Sequence, residues 1–358
     1  MTVMKKKLNK TTKSNLITYA MVVIVYIIVQ LLVSGGAVSS LMKGLLVPLC
    51  VYSILAVSLN LTVGILGELS LGHAGFMCIG AFTSATFSKL TNGVIQPAGF
   101  RFFLAILVGA VFAGIFGLLI GIPVLRLKGD YLAIVTLAFG EIIKNIVNVI
   151  YLGRDSHGIH FSIKDAASLG MDADGEMIIK GPPGITGTPT DSTFTIGIVL
   201  ILVTLFIVLN LVHSRSGRAI MAIRDNRIAA ESVGINITKY KLMAFSISAA
   251  LAGVAGVLYA HNLSTLTALP KNFGYNMSIM ILVFVVLGGI GNIRGSIIAA
   301  VLLTMLPELL RGLNDFRMLI YAIVLIATMI ITNNEKIMNT IRRFLPKKQA
   351  QPVKEETK

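Results

Sequence analysis

Apolar runs separated by short polar stretches dominate this chain: residues 16–33, 41–62, 76–90, 102–125, 131–151, 194–212, 242–259, 277–287, 297–310 and 318–331. Most approach the ~20 residues that a helix needs to cross the hydrocarbon core of a bilayer. Lipid offers no partner to a bare amide or carbonyl, so a run of this kind must close its backbone hydrogen bonds on itself as a helix. The pattern therefore predicts an all-α fold, a polytopic integral membrane protein of about ten transmembrane helices with glycine-broken hairpins. Composition agrees, since 55% of the residues are hydrophobic and 13% charged, outside the soluble globular range. A net charge of +15 would suggest nucleic acid in a soluble protein. Here the basic residues crowd beside apolar runs, as Lys5, Lys6, Lys7, Lys10 and Lys13 do at the start and Arg342, Arg343, Lys347 and Lys348 at the end. The positive-inside rule accounts for them, and no nucleic-acid partner is expected. Cys50 and Cys78 lie inside apolar runs, where a thiol acts as a small hydrophobe rather than a disulfide or metal partner.

Charge sets the expected topology. Residues 152–193 carry three basic and six acidic side chains, net −3, and belong outside; residues 214–241 carry six basic and two acidic, net +4, and belong in the cytoplasm. That arrangement gives a basic cytoplasmic tail over 1–15, one transmembrane domain over 16–333 and a second basic cytoplasmic tail over 334–358. The first run is longer than a signal-peptide core despite the small residues Ser34, Gly35, Gly36 and Ala37, so it is read as an uncleaved span. The 214–241 segment also looks ordered. Good helix formers run over 216–233, Ile220, Met221 and Ile223 crowd one side, and Gly234 stands where a left-handed residue would end a helix. Such a segment is a surface for gripping a partner, whereas a loop that only sets topology needs arginines and no ordered helix.

Two glycine-rich breaks interrupt the apolar pattern, at 64–75 and at 288–295. Non-helical backbone at membrane depth survives where protein or a water-filled cavity satisfies it, so the breaks point toward a translocation pathway. Glu68, Ser70, His73 and Gly75 lie in the first; the alternative is that its glycines only permit close packing, with Glu68 at the interface. Glu141, Lys144, Asn145 and Asn148 follow i, i+3, i+4, i+7 spacing near the middle of the 131–151 run, which predicts one inward face with Glu141 and Lys144 paired. His157, His160, Asp172 and Asp174 in the outer loop lack the further ligands a metal site needs. There is no Gly-x4-Gly-Lys-Ser/Thr loop, so a pump built on this chain needs ATP bound by another subunit.

Four motifs stand in order along the chain: Gly67-Glu-Leu-Ser-Leu-Gly-His-Ala-Gly75-Phe with Gly80-Ala-Phe; Arg126-Leu-Lys-Gly-Asp-Tyr through Phe139-Gly-Glu141; Gly181-Pro-Pro-Gly-Ile-Thr-Gly187; and Ser216-Gly-Arg-Ala through Arg224-Asp-Asn-Arg-Ile-Ala-Ala-Glu231-Ser-Val-Gly234. Together they resemble the LivM-type permease subunit of branched-chain amino-acid ABC importers, over almost the whole chain. The resemblance implies a multi-pass protein of the bacterial plasma membrane that is not itself an enzyme. It implies partnership with a LivH-type permease, two ATPase subunits that hold ATP and Mg, and an extracytoplasmic binding protein that delivers leucine, isoleucine or valine. No cofactor is expected on this chain. The ATPase-coupling residues become Gly217, Arg218, Arg224, Asp225, Asn226, Ala229, Ala230, Glu231 and Gly234, and the pathway residues Glu68, Ser70, His73, Gly75, Glu141, Lys144 and Asn145. Permeases for urea, short amides, nucleosides or sugars share parts of the pattern, and the insertion at 156–180 is not a fixed feature of it. A secondary transporter would also carry intramembrane Glu141 and Lys144 but has no need of an ordered basic loop. A membrane-embedded enzyme would have to act through His73, or His157 with His160, without a partner.

Overall fold

The computed structural model describes residues 10–310, apart from Ala37, Lys128, Ala173 and Asp174, together with scattered residues between 316 and 330. Most of the expected span at 318–331, most of the expected N-terminal tail and all of the expected C-terminal tail lie outside the described residues. The chain divides into two units, 1–304 and 305–358, and the fold below is that of the first. Of the second, the described residues comprise the end of the last helix and isolated helical positions.

In chain order the helices are α1 (Lys10–Ser34), α2 (Ser40–Asn60) with a π-helical extension (Leu61–Leu66), α3 (His73–Leu90), α4 (Ala98–Val124) and α5 (Asp130–Val149). Strands β1 (Tyr151–Asp155), β2 (Gly158–Ser162), β3 (Glu176–Lys180) and β4 (Ile185–Thr186) follow, then α6 (Phe194–His213), α7 (Arg215–Asp225), α8 (Arg227–Ser232) and α9 (Ile237–Ala260). After β5 (Thr265–Leu266) come the single turn α10 (Pro270–Phe273), α11 (Tyr275–Gly288) and α12 (Ile293–Leu309). Among the described residues, seven helical segments are long and apolar enough to cross a membrane, against about ten spans expected. Those seven omit α3, which carries Ser, Thr and Lys side chains along its 18 residues, and α12, which is 17 residues long.

The core is built around α9, with α2, α3 and α4 against it. Because lipid tails are as apolar as the helices, packing in a bilayer comes from backbone approach, which small residues permit. A Cβ on Gly80 of α3 would sit 2.2 Å from the carbonyl oxygen of Gly253 in α9, and one on Gly256 would sit 2.0 Å from that of Met77. Helix α2 with its π-helical extension is central, 89% of its most apolar stretch being buried, against 11% for α1, which lies along α6.

Three boundaries differ from the sequence reading. The elbow is shorter than 64–75: helix persists through Leu66, stops at Gly67 (φ 81°) where a left-handed residue is needed, and resumes at His73. The run of helix formers over 216–233 is divided at Asn226, whose extended backbone (φ −155°, ψ 106°) ends α7 and whose side-chain oxygen caps α8 by accepting from the Ala229 N–H at 3.0 Å. Lys239 and Lys241, assigned to the cytoplasmic loop, lie in α9.

The expected outer loop is folded. β1 pairs antiparallel with both neighbours in the order β2-β1-β3, in register Tyr151↔Ser162 to Asp155↔Gly158 on one side. The 156–180 insertion thus supplies two of the three strands, and the helical membrane domain carries a small β cap. Lys89, at the end of α3, holds that cap by donating to the Thr186 carbonyl at 2.9 Å and pairing with Glu176 at 2.9 Å.

Candidate functional site

The 20 residues of α6 separate the β cap from the α7–α8 knuckle by about 30 Å, the rise of a helix of that length. At the knuckle, Ser214 caps α7 by accepting from the Gly217 N–H at 3.0 Å. Gly217 lies so close to the last turn of α6 that a Cβ would sit 2.1 Å from the Leu211 carbonyl oxygen. Ile220 and Ile223 bury the inner face of α7. Ala230, expected as a point of partner approach, is instead 3% exposed and packs on Ile223 and Ile237 within its own chain, because α8 folds back on the start of α9. Gly234 has the expected positive φ, 82°, and α8 closes with the Ile235 N–H on the Ala230 carbonyl at 3.1 Å. Arg218, Asp225, Asn226, Ala229 and Glu231 are exposed. Two residues absent from the sequence reading dominate this outer surface, Ile228 at 80% and Val233 at 75% exposure. An isoleucine beside an arginine on so short a helix was the available signal.

Arg224 is exposed as well, over 37% of its side chain, but one edge of its guanidinium reaches inward. Its NH1 donates to the Gly64 carbonyl at 2.9 Å, while Nε and NH2 both donate to Asp225 Oδ1, at 3.0 and 2.8 Å.

Each of the elbow residues is engaged within the chain. Glu68 forms an ion pair with Lys241 of α9, with only 16% and 8% of the two side chains exposed. Ser70 is fully buried and accepts from the Gly72 N–H, and the Leu71 N–H donates to Thr136 Oγ1 at 3.0 Å. Ser248 donates to the Ser58 carbonyl at 2.5 Å and accepts from Thr62 at 2.9 Å. Its oxygen therefore accepts from His73 Nε2–H at 3.0 Å, which fixes that tautomer and leaves buried His73 Nδ1 without a partner among the described residues. Gly75 meets Gly140 of α5, where an added Cβ would sit 2.8 Å from the Gly140 Cα.

Immediately after Gly140, Glu141 forms the expected pair with Lys144, one turn further on, and Glu141 Oε1 also accepts from the Tyr275 N–H at 2.7 Å. The carboxylate thereby joins α5 to the first residue of α11. Asn148 donates to the Ala268 carbonyl at 3.1 Å. Asn145 breaks the expected set, being exposed. At about 100° per residue it lies some 40° beyond Glu141, which already sits at the edge of the buried arc.

The glycine breaks, read separately in the sequence, touch. Asn60 Oδ1 accepts from the Gly291 N–H at 2.8 Å, Asn60 Nδ2 donates to Ser296 at 2.8 Å, and a Cβ on Gly64 would sit 2.4 Å from the Gly291 nitrogen. A buried polar set near the β cap was not anticipated: Arg101 donates to Asn92 at 2.7 Å and lies 3.6 Å from Asp191, and Ser88 bonds His261 at 2.8 Å. An apolar groove of about 660 Å³ between α4, α6 and α9, with Phe103, Leu107, Val203 and Val254 on its walls, contains none of the pathway residues.

A membrane bundle with two touching helix breaks and an ordered basic knuckle is the architecture of a permease. The profile of the family described as "Branched-chain amino acid transport system / permease component" matches residues 41–332, and the chain belongs to that family. It is 35% identical over 295 residues to the high-affinity branched-chain amino acid transport system permease protein LivM of Escherichia coli (strain K12), covering 78% of this chain and 66% of the relative, just under two thirds of its length. It is 25% identical over 259 residues to the high-affinity branched-chain amino acid transport system permease protein LivH of Salmonella typhimurium, covering 70% of this chain and 79% of that one. The ribose import permease protein RbsC of Escherichia coli (strain K12) is 30% identical over 132 residues, 35% of this chain and 40% of its own. No solved structure matches.

Proposed function

We propose that the chain is the membrane-spanning permease subunit of an ABC importer for leucine, isoleucine and valine in a bacterial plasma membrane, with both termini cytoplasmic. It works beside a LivH-type permease, takes solute from an extracytoplasmic binding protein, and is driven by two ATPase subunits that bind ATP and Mg. The observation that carries the reading is the α7–α8 knuckle. It presents Ile228, Ala229 and Val233 among Arg218, Arg227 and Glu231 on a folded support, and an exposed apolar tip rimmed by charge is suited to protein docking rather than to topology alone. Family membership supports the substrate class. Glu68, Ser70, His73 and Gly75, with the Glu141–Lys144 pair, hold the helices that wall the pathway. Asn145, an exposed amide within a span, is costly against lipid and so faces the second permease, where the pathway runs. Affinity purification of the chain from membranes tests this reading. An ABC ATPase and a second permease should co-purify; a monomer that transports alone would mark a secondary transporter.

A further inference from the structure

Arg224 lies on the docking knuckle with 37% of its side chain exposed, yet its NH1 is turned inward. Three features hold it there. Asp225 takes both Nε and NH2 on one oxygen, leaving NH1 free to reach the Gly64 carbonyl at 2.9 Å. That carbonyl stands near the end of the π-turn, where the last carbonyls of a helix lack partners within it. Gly67, with no side chain, lets the arginine stem lie across the turn; a Cβ there would sit 2.5 Å from Arg224 Cγ.

Beyond Gly64 the contacts continue without a gap. Its Cα lies against the Gly291 backbone, and Asn60, one turn earlier, accepts from Gly291 and donates to Ser296 at the start of α12. A single side chain thus joins the end of α7 to the place where the two helix breaks meet. We propose that Arg224 is a positioning residue that carries movement of the α7–α8 knuckle to the Leu61–Leu66 turn and on to the Gly291 break, rather than a contact for the ATPase. This inference rests on the permease reading above and assigns a mechanical role to a residue that charge alone would place on the docking surface. Arginine is suited to the task because its planar fork is gripped by Asp225 on one edge while the other edge donates to the carbonyl; lysine, a point donor on a flexible stem, cannot do both.

The test uses the complete transporter in proteoliposomes, with leucine taken up and ATP hydrolysed measured together. Arg224→Met keeps the stem over Gly67 and removes the donors. It should co-purify with the ATPase subunits in wild-type amounts and still hydrolyse ATP, but leucine moved per ATP should fall about tenfold or more, the scale of losing one hydrogen bond to a charged group. Arg224→Lys should fall between wild type and Arg224→Met, and decides the matter if the methionine variant does not assemble. Loss of ATPase co-purification would make Arg224 a docking contact, and an unchanged leucine-to-ATP ratio in both variants would show that it transmits nothing. Either outcome overturns the inference and leaves the permease reading standing. A wild-type complex with no ATP-driven uptake would sink the permease reading itself, and the inference with it.

Discussion

Glu141→Gln removes a charge from the membrane domain while keeping the shape of the side chain. The amide oxygen can still accept from the Tyr275 N–H, so the tie between α5 and α11 survives and only the pairing with Lys144 is lost. The Lys144 side chain is 8% exposed, so its ammonium has little access to water once alone. Breaking a buried ion pair by removing one partner costs about 3–5 kcal/mol. Because 25% of the Glu141 side chain is exposed, water screens that end, and the lower figure, about 3 kcal/mol, is expected. Lys144→Met strands the carboxylate and should cost a similar amount, whereas Glu141→Gln with Lys144→Met leaves no buried charge and should be less harmful than either alone. The assay is unfolding of the purified protein in mixed micelles by a denaturing detergent, with wild type and all three variants under one protocol. Losses that simply add in the double variant would refute the coupling, as would single variants within about 0.5 kcal/mol of wild type, the range of an ordinary surface change.

Ile228→Asp should leave thermal stability unchanged, because the side chain is 80% exposed, while co-purification of the ATPase subunits falls steeply; retained binding would remove α8 from the docking surface. Gly80→Val should abolish the folded protein, since even the first carbon would lie 2.2 Å from the Gly253 carbonyl oxygen and neither backbone can yield, so a normal yield in mild detergent would contradict the packing around α9. The β cap has a pH signature. Desolvation raises the Asp155 carboxyl, but bonds from the His157 and Asp172 N–H groups and from His160 outweigh it and hold the group below the usual carboxylate range. A depressed pKa contributes stability that is present above the unfolded value of about 3.9 and lost as pH falls through the folded one. Amide exchange in β1 and β2 should therefore stay slow at pH 5 and quicken only below about pH 4, and Asp155→Asn should remove that step.

Local spacing carried much of the site, and long-range contact carried the rest. The Glu141–Lys144 pair was legible because residues three apart on a helix are neighbours, and Gly234 because a left-handed stop follows a run of helix formers. Asn226 was read as helix interior; its preference for capping wins because Ile223 and Ala230 can then both turn inward. The Glu68–Lys241 pair spans 173 residues, so no periodicity reveals it, and Lys241 was taken for loop charge because a buried lysine and a topology lysine look alike in sequence. The meeting of Gly64 with Gly291 was hidden for the same reason. The β cap was missed because its strands are at most five residues long, interrupted by Gly153 and Gly158, too short for alternation to stand out in an acidic loop.

The central claim is that this chain moves branched-chain amino acids at the expense of ATP held by other subunits. Proteoliposomes containing the chain, its second permease and its ATPases, with the binding protein outside and ATP inside, measure that directly. The account predicts uptake of radiolabelled leucine that requires ATP and the binding protein and is competed by isoleucine and valine. Leucine uptake driven by an ion gradient without ATP, or ATP-driven uptake of urea or ribose with none of leucine, would contradict it.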